Sequence, residues 1–217
     1  MKKFLKKSGK AAINPSATFS AVAGYNLAAP FYDAREKYLN SFEQGKLLPL
    51  LGGVNGKRVL DIGAGTGRIS LPLARLGARV TAADISEEML KILVKKCQAA
   101  NRFVATEVTD AETLPFESEV FDIVVATFLL VHLKNPAGFF DEVYRVLKPE
   151  GILVVTNINQ KEPPPLKSRH GSIVIKSYYH RPEAVRKALL ALAFTIAEEV
   201  FIHERDTWVN QILVARK

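Results

Sequence analysis

Short apolar runs alternate with longer amphipathic segments between residues 58 and 157, and this alternation restricts the fold more than any other feature of the chain. A short apolar run suits a strand buried on both faces, and an amphipathic segment suits a helix that covers it. The alternation therefore predicts an α/β fold with a parallel sheet and crossover helices. The predicted strands are residues 58–62, 78–83, 102–105, 120–126 and 152–156, and the predicted helices are residues 66–76, 87–99 and 137–147.

Further segments flank this alternating region. Residues 32–48 have the spacing of an amphipathic helix inside an N-terminal cover at residues 17–56. Residues 158–180 contain three consecutive prolines and few periodic apolar positions, which predicts a loop or irregular insertion on the substrate side. A helix at residues 182–193 and strands at residues 194–203 and 207–216 complete the prediction. Because 217 residues are few for two cores, residues 17–217 are expected to form one domain.

Most of the net charge of +8 lies at the N-terminus. Five lysines and no acidic residue occupy the first ten positions, so the rest of the chain carries 8 − 5 = +3. Residues 1–16 are expected to be a flexible basic tail, and contact with nucleic acid or a lipid surface is disfavoured except through that tail. The mildly basic remainder, 48% hydrophobic in the full chain, is typical of a globular protein.

Three absences bear on where the protein works. No apolar run approaches the roughly 20 residues that span a bilayer, and no apolar stretch of a secretory signal follows the basic N-terminus. Cys97 is the single cysteine, which excludes an intrachain disulfide and a multi-cysteine zinc site. These features predict a cytoplasmic protein and leave its oligomeric state open.

A glycine-rich loop joins the first predicted strand to its helix, with Gly63, Gly65 and Gly67 at alternate positions. Glycine lacks the Cβ that would keep a ligand away from the backbone, and the helix start offers free N–H groups. The next strand ends in Asp84, which this topology places beside the loop, where a carboxylate can accept hydrogen bonds from both hydroxyls of a ribose. The loop and the carboxylate together predict a nucleotide-like cofactor; a tight turn without a ligand is the alternative.

The glycine spacing separates two classes of cofactor. The loop reads G-x-G-x-G, whereas the dinucleotide fingerprint reads G-x-G-x-x-G, and position 68 is Arg instead of Gly. This difference argues against a nicotinamide-dependent oxidoreductase, although the carboxylate alone suits either class.

The chain resembles the class I S-adenosylmethionine (SAM)-dependent methyltransferases in the order and spacing of its motifs. These motifs are VLDIGAGTG, AADIS, TDAETLPF, FDIVVATFLLVHL and EVYRVLKPEGILVVT, within residues 59–156. The nearest group is the small-molecule branch that includes quinone-biosynthesis methyltransferases (methyltransferase type 11). The resemblance implies a Rossmann-like fold with a mostly parallel seven-stranded sheet and helices on both faces. It also implies SAM as the methyl donor and a small molecule as the methyl acceptor.

The resemblance further implies roles for individual residues. Asp61 would lie under the methionine amino group, and Asp84 would hold the ribose hydroxyls. Met89 would pack on adenine, and Asp110 would accept a hydrogen bond from the exocyclic amine. The implied cofactor-binding set is Asp61, Gly63, Ala64, Gly65, Gly67, Asp84, Ile85, Met89, Asp110, Ala111 and Phe128.

Methyl transfer from a sulfonium depends on alignment and desolvation, so no metal site is predicted. His132 and His180 are the candidate catalytic bases because an imidazole titrates near neutral pH, although either can instead fix a loop. The N-terminal cover and the insertion are expected to close over the cofactor at the carboxyl ends of the strands. The candidate lid or substrate residues are Tyr25, Tyr32, Tyr178 and Tyr179.

Two alternatives to small-molecule methylation stay open. The acceptor could be RNA or protein, docked through the lysine tail, or the chain could bind SAM without catalysing transfer. The motifs specify the donor far better than the acceptor, because function resides in the site and not in the fold.

Overall fold

The computed structural model describes residues 18–169 and 171–217. The predicted basic tail at residues 1–16 lies outside the described residues. The strands are β1 (Thr18–Phe19), β2 (Arg58–Ile62), β3 (Arg79–Asp84), β4 (Ala105–Val108), β5 (Phe121–Ala126), β6 (Leu147–Ile158), β7 (Leu166–Ser168), β8 (Gly171–Ile175), β9 (Thr195–Glu204) and β10 (Thr207–Arg216). The α-helices are α1 (Ala21–Tyr32), α2 (Glu36–Ser41), α3 (Leu47–Leu50), α4 (Ser70–Arg75), α5 (Glu87–Ala99), α6 (Ala137–Val146) and α7 (Pro182–Ala191).

Seven strands form the central sheet in the order β4-β3-β2-β5-β6-β10-β9. The first five are mutually parallel, and β10 runs antiparallel to both β6 and β9. Alternate residues of β2 enter the two cores on opposite faces: Val59 packs in the core with Leu93, and Leu60 packs in the core with Phe139. The predicted α/β fold with a mostly parallel seven-stranded sheet is thereby confirmed.

Most predicted elements lie within a few residues of their observed positions, and the deviations have local causes. Strand β4 begins at Ala105, three residues later than predicted, because Phe103 mimics a core position but is 84% exposed. Helix α4 begins at Ser70 instead of Thr66, because Gly67 adopts a φ of +88° that a helix cannot continue.

The N-terminal cover departs most from expectation. The single helix predicted for residues 32–48 is wrong, since α1 ends at Tyr32, where that helix should have begun. A 3₁₀ turn at Asp33–Arg35 and the short helices α2 and α3 follow. The chain reverses between α2 and α3 because Gln44 and Gly45 both adopt positive φ, which interrupts a right-handed helix.

The insertion is more regular than predicted. Residues 158–180 contain β7 and β8, and β8 pairs in parallel with β1 of the N-terminal cover. The resulting three-stranded sheet packs on α1 around a small core of Ala28, Leu166, Ile173 and Ile175. The first part of the cover, β1 and α1, therefore forms one layer with the insertion. Within the described ranges, none of the helices has the length and apolar character needed to cross a membrane.

Candidate functional site

The glycine-rich loop lies at the carboxyl end of β2 and is anchored to the neighbouring strand. The backbone N–H groups of Gly63 and Ala64 donate to the carbonyl oxygen of Ala83, at 2.8 and 3.1 Å. Gly63 and Gly65 adopt φ values of +72° and +55°, which L side chains rarely tolerate. The loop therefore turns sharply and presents its backbone toward a cavity.

Two glycines of the loop, Gly65 and Gly67, have different roles. A Cβ on Gly67 would overlap the side chain of Leu93, so this glycine permits close packing of α5 against the loop. A Cβ on Gly65 would meet only Tyr32, at 3.9 Å, and would otherwise enter open space. Gly65 therefore leaves room for a ligand, whereas Gly67 serves the fold.

Asp84 ends β3 and lines the cavity beside Gly65. Its Oδ2 accepts a hydrogen bond from the Gly65 N–H at 2.7 Å, and its Oδ1 accepts one from the Ser86 N–H at 2.8 Å. Burial raises the pKa of this carboxyl, and the backbone donors oppose that rise. Each oxygen retains acceptor capacity for a ligand hydroxyl, because a carboxylate oxygen can accept more than one hydrogen bond.

The first cavity extends over the carboxyl ends of β2, β3 and β5. Its volume is about 840 Å³ including the part open to solvent. Further residues that border the cavity were not predicted from the sequence: Thr109, Glu112, Thr127 and Leu133. The predicted residues that line it are Tyr25, Tyr32, Gly63, Gly65, Asp84, Ile85, Met89, Asp110, Ala111, Phe128 and His132.

Asp110 also lines this cavity. Its Oδ1 accepts a hydrogen bond from the Glu112 N–H at 2.9 Å, which fixes the turn that also carries Ala111. The side chain is exposed, so its carboxylate has room for a second donor.

Three predicted cofactor residues do not line the first cavity: Asp61, Ala64 and Gly67. Asp61 is 1% exposed, and its Oδ2 accepts a hydrogen bond from the Ser70 hydroxyl at 2.6 Å. Burial raises the pKa of Asp61 to about 6. Asp61 thereby braces the loop by holding Ser70 at the start of α4.

His132 lies in a 3₁₀ turn at Leu130–His132 and lines the cavity opposite the glycine loop. Its Nδ1 is 3.3 Å from the carbonyl oxygen of Lys176, and its Nε2 is 2.6 Å from the hydroxyl of Tyr25. Because a carbonyl oxygen only accepts, the Nδ1 carries the proton and the Tyr25 hydroxyl donates to Nε2. Burial lowers the pKa of His132, so the imidazole stays neutral at physiological pH.

Tyr25 and Tyr32 come from α1 and lie over the cavity. Their rings meet edge to face with centroids 5.8 Å apart, and the ring of Tyr25 meets His132 in the same way at 5.2 Å. Burial raises the pKa of both tyrosines, and the positive charge of Arg35 opposes that rise. Both phenols therefore remain protonated and can donate hydrogen bonds.

A second cavity adjoins the first, and Tyr25, Tyr32, Phe128 and His132 line both. Its volume is about 520 Å³ including the open part. The remaining lining is largely apolar or aromatic and comes from the cover, the 3₁₀ turn, β6 and the insertion: Arg35, Tyr38, Leu39, Phe42, Val131, Ile158, Gln160, Pro163, Pro164, Leu166 and Ile175.

The other predicted substrate-side residues, His180, Tyr178 and Tyr179, line neither cavity. The Nε2 of His180 is 2.9 Å from the carbonyl oxygens of both Leu130 and Leu133, so its N–H holds the turn that carries His132. The Tyr178 N–H donates to the Val131 carbonyl at 2.7 Å, and Tyr179 is exposed. The structure thus gives His180 a positioning role behind the candidate base.

Arg68 is a site residue whose role the sequence did not indicate. Its guanidinium donates two hydrogen bonds to Glu43, at 2.6 and 2.8 Å, and one each to the Asn40 side-chain oxygen and the Thr127 hydroxyl, both at 3.1 Å. It also lies 5.1 Å from the ring centroid of Phe128. One side chain thereby joins the cover, the glycine loop and the end of β5. The sequence feature that could have indicated this role is the presence of an arginine among apolar residues just after the glycines.

Comparison with known sequences agrees with this geometry. Residues 60–155 match the family model of a methyltransferase domain. The demethylmenaquinone methyltransferase of Tropheryma whipplei (strain Twist) is 36% identical over 135 residues, which are 60% of this chain and 56% of that protein. The ubiquinone biosynthesis O-methyltransferase of Mesorhizobium japonicum is 28% identical over 186 residues, 75% of this chain and 73% of that protein. The chain spans about half the length of the demethylmenaquinone methyltransferases that it matches.

Solved structures share the fold at low sequence identity. The magnesium protoporphyrin IX methyltransferase of Synechocystis PCC 6803, with bound SAM, has a TM-score of 0.66 at 22% identity, over 86% of this chain and 82% of that chain. The cyclase SpnF has a TM-score of 0.66 at 20% identity, over 94% of this chain and 99% of that chain, so the fold also occurs in a protein named for another reaction. The matched family model of a methyltransferase domain thus covers residues 60–155, and the solved structures share the fold of the chain.

Proposed function

We propose that this protein binds SAM in the first cavity and transfers the methyl group to a small molecule in the second cavity. The observation that carries the proposal is the junction of the two cavities, where Tyr25, Tyr32, Phe128 and His132 belong to both. A donor and an acceptor bound on either side of this junction would meet there. Holding two reactants in line can contribute about 7–11 kcal/mol to lowering the barrier.

The residues of the first cavity fit the parts of SAM. Gly65 leaves open the space that any side chain would fill, and Asp84 offers acceptors for two ribose hydroxyls. Ile85 and Met89 supply apolar surface for the adenine, and Asp110 supplies an acceptor for its amine. When bound, SAM supplies an electrophilic methyl group on a sulfonium.

Tyr25 and His132 are proposed to take up the proton of an acceptor hydroxyl. The hydroxyl donates to the Tyr25 oxygen as its own oxygen bonds to the methyl carbon, and the carbon–sulfur bond breaks with its electron pair left on sulfur. Tyr25 passes its own proton to the neutral Nε2 of His132, 2.6 Å away. The products are then the methyl ether, the neutral thioether S-adenosylhomocysteine (SAH) and an imidazolium, which returns its proton to water.

Donor binding is tested by calorimetry with SAM, SAH and NADH. We expect SAM and SAH to bind, NADH not to bind, and Gly65→Val to lose both ligands because its side chain would enter the cavity. Gly52→Val is the matched control, since Gly52 also has positive φ, at +64°, but has no atom within 4 Å of its Cβ position. Tighter binding of NADH than of SAM would overturn the proposal.

Transfer is tested by incubating the protein and methyl-labelled SAM with phenolic small molecules, RNA and protein. Label in a small molecule supports the proposal. Label only in RNA or protein would favour a macromolecular acceptor, and donor binding without any transfer would favour a SAM-binding protein that catalyses no methylation.

A further inference from the structure

Arg35 contributes a positive charge to the wall of the second cavity. It ends the 3₁₀ turn at Asp33–Arg35 and is partly buried. Within residues 18–169 and 171–217, no residue forms a hydrogen bond or ion pair with its guanidinium, whose carbon lies 5.1 Å from the ring centroid of Tyr38. A guanidinium that is partly removed from water and left without an acceptor favours binding of an external anion.

The acidic groups around Arg35 do not neutralise it. The carboxylate of Asp33, in the same turn, accepts hydrogen bonds from Thr66 at 2.5 Å and from Lys96 at 3.2 Å. Glu43, farther along the cover, forms a salt bridge with Arg68. Neither Asp nor Glu is among the described residues that line the second cavity, so the positive charge of Arg35 faces an otherwise uncharged wall.

An open groove leads from solvent to this wall. It shares Tyr32, Arg35 and Leu166 with the second cavity and is bordered also by Phe31 and Lys167. The ammonium of Lys167 lies 5.0 Å from the ring centroid of Phe31 and has no ion pair with any described residue. A second cation therefore lies on the approach to Arg35.

We propose that the methyl acceptor is an aromatic carboxylic acid whose carboxylate is bound by Arg35. This inference rests on the proposed function and specifies the acceptor for the same site. The flat guanidinium matches a planar carboxylate through two parallel hydrogen bonds, and the surrounding rings and prolines suit an aromatic body. Binding the carboxylate at Arg35 directs the opposite end of the molecule toward Tyr25 and His132, which line the same cavity.

The test compares two probes of nearly the same shape: the anion 6-hydroxy-2-naphthoate and the uncharged 6-hydroxy-2-naphthamide. Calorimetry on the SAH-loaded protein measures the affinity of each. We expect the naphthoate to bind about 10- to 100-fold more tightly than the amide, the range for hydrogen bonds to a charged group. Arg35→Gln should abolish this preference. Arg35→Lys should keep part of it, because lysine retains the positive charge but lacks the two parallel N–H donors of the guanidinium.

Lys37→Gln is the matched control, since Lys37 is an exposed cation two residues away that lines neither cavity. It should retain the full preference for the naphthoate. Equal affinity of the two probes, no binding of either to the SAH-loaded protein, or an unchanged preference in Arg35→Gln would overturn the inference. Failure of the parent protein to bind SAH would instead overturn the proposed function. Failure of the inference and failure of the proposed function are therefore distinguishable.

Discussion

Two aspartates at the ends of neighbouring strands illustrate how local environment assigns different tasks to one residue type. Asp61 on β2 is sealed beneath the loop with Ser70, and burial raises its pKa to about 6. Asp84 on β3 is held by two backbone N–H groups and faces the first cavity. Asp61 therefore braces the loop, whereas Asp84 is oriented in advance to receive a ligand.

Replacing Asp84 with Ala should weaken SAM binding by about 1.5–3 kcal/mol, the range for hydrogen bonds to a charged group. The fold should survive, because the change removes a buried carboxylate whose desolvation opposes folding. Calorimetry measures the affinity, and circular dichroism checks the fold. Asp141→Ala is the control, because Asp141 is an exposed carboxylate on α6 outside the first cavity. Parent-like affinity in Asp84→Ala would show that Asp84 does not hold the ligand.

The pH dependence of methyl transfer should report His132. The neutral imidazole accepts the proton, so the rate should fall as pH decreases through the His132 pKa. Burial lowers that pKa from its ordinary value of 6.5, so half of the rate should be lost only below pH 6.5. The measurement is kcat/KM from pH 4.5 to 8 for the parent, Tyr25→Phe and His132→Gln.

In His132→Gln this acidic limb should disappear along with most of the rate, because the base is absent.

The pH dependence of stability supplies an independent measurement of the His132 pKa. The unfolded chain binds a proton at His132 below about pH 6.5 while the folded chain does not, so the parent should lose free energy of unfolding as pH falls from there toward the folded pKa. His132→Gln should lack this loss; identical pH profiles of both rate and stability in parent and variant would contradict the assignment.

At the scale of elements, one buried ion pair connects parts that are distant along the chain. Arg68 follows the glycine loop, Glu43 lies between α2 and α3, and their side chains are 12% and 5% exposed. The same guanidinium reaches Thr127 at the end of β5. The loop, the cover and the fourth parallel strand are thereby held in one arrangement around both cavities.

Breaking this buried ion pair should lower the free energy of unfolding far more than breaking an exposed ion pair. Arg68→Met leaves the Glu43 carboxylate buried without a partner and should lower the free energy of unfolding by about 3–5 kcal/mol, as removal of one member of a buried pair does. The double variant Arg68→Met with Glu43→Leu should lose less than the sum of the single variants. Urea denaturation measures all of them.

The control is Lys91→Ala, which breaks exposed ion pairs on α5 with Glu87 and Glu88 and should change the free energy of unfolding very little. Additive losses in the Arg68 and Glu43 variants would mean that the two side chains do not stabilise each other.

For the whole molecule, β1, α1, β7 and β8 form a layer with a small core of its own. This core around Ala28 is separate from the two cores of the main sheet. Polar contacts join the layer to the main sheet, among them Tyr25 with His132 at 2.6 Å and Asn26 with Ser86 at 2.7 Å. A layer with its own core can open as a unit when the contacts beneath it are weak.

Ligand binding should therefore slow hydrogen exchange in this layer. With SAH bound, the amides of residues 18–39 and 158–180 should exchange more slowly, because the ligand would contact Tyr25 and Tyr32 from below. Strands β5 and β6, buried in the sheet, serve as the internal control and should exchange alike in both states. Equal exchange of the layer with and without SAH would exclude closure by the ligand.

The sequence by itself determined the features that depend on neighbouring residues. Burial on both faces requires apolar runs, so the parallel strands were predictable, and the positive φ of Gly63 and Gly65 requires glycine. The position of Asp84 beside the glycine loop was predictable, because neighbouring parallel strands place their carboxyl ends at the same edge of the sheet. Edge strand β4 was misplaced because alternate burial on an open edge leaves a weak pattern.

Only the tertiary structure decided which distant residues meet. Tyr25 and His132 are 107 positions apart, Arg68 and Glu43 are 25 apart, and β1 pairs with β8 across most of the chain. Nothing in the local pattern distinguished His132, which faces both cavities, from His180, which holds the turn behind it. Local patterns encode backbone conformation and burial, whereas the pairing of side chains depends on how whole elements pack, and that packing balances contacts over the entire molecule.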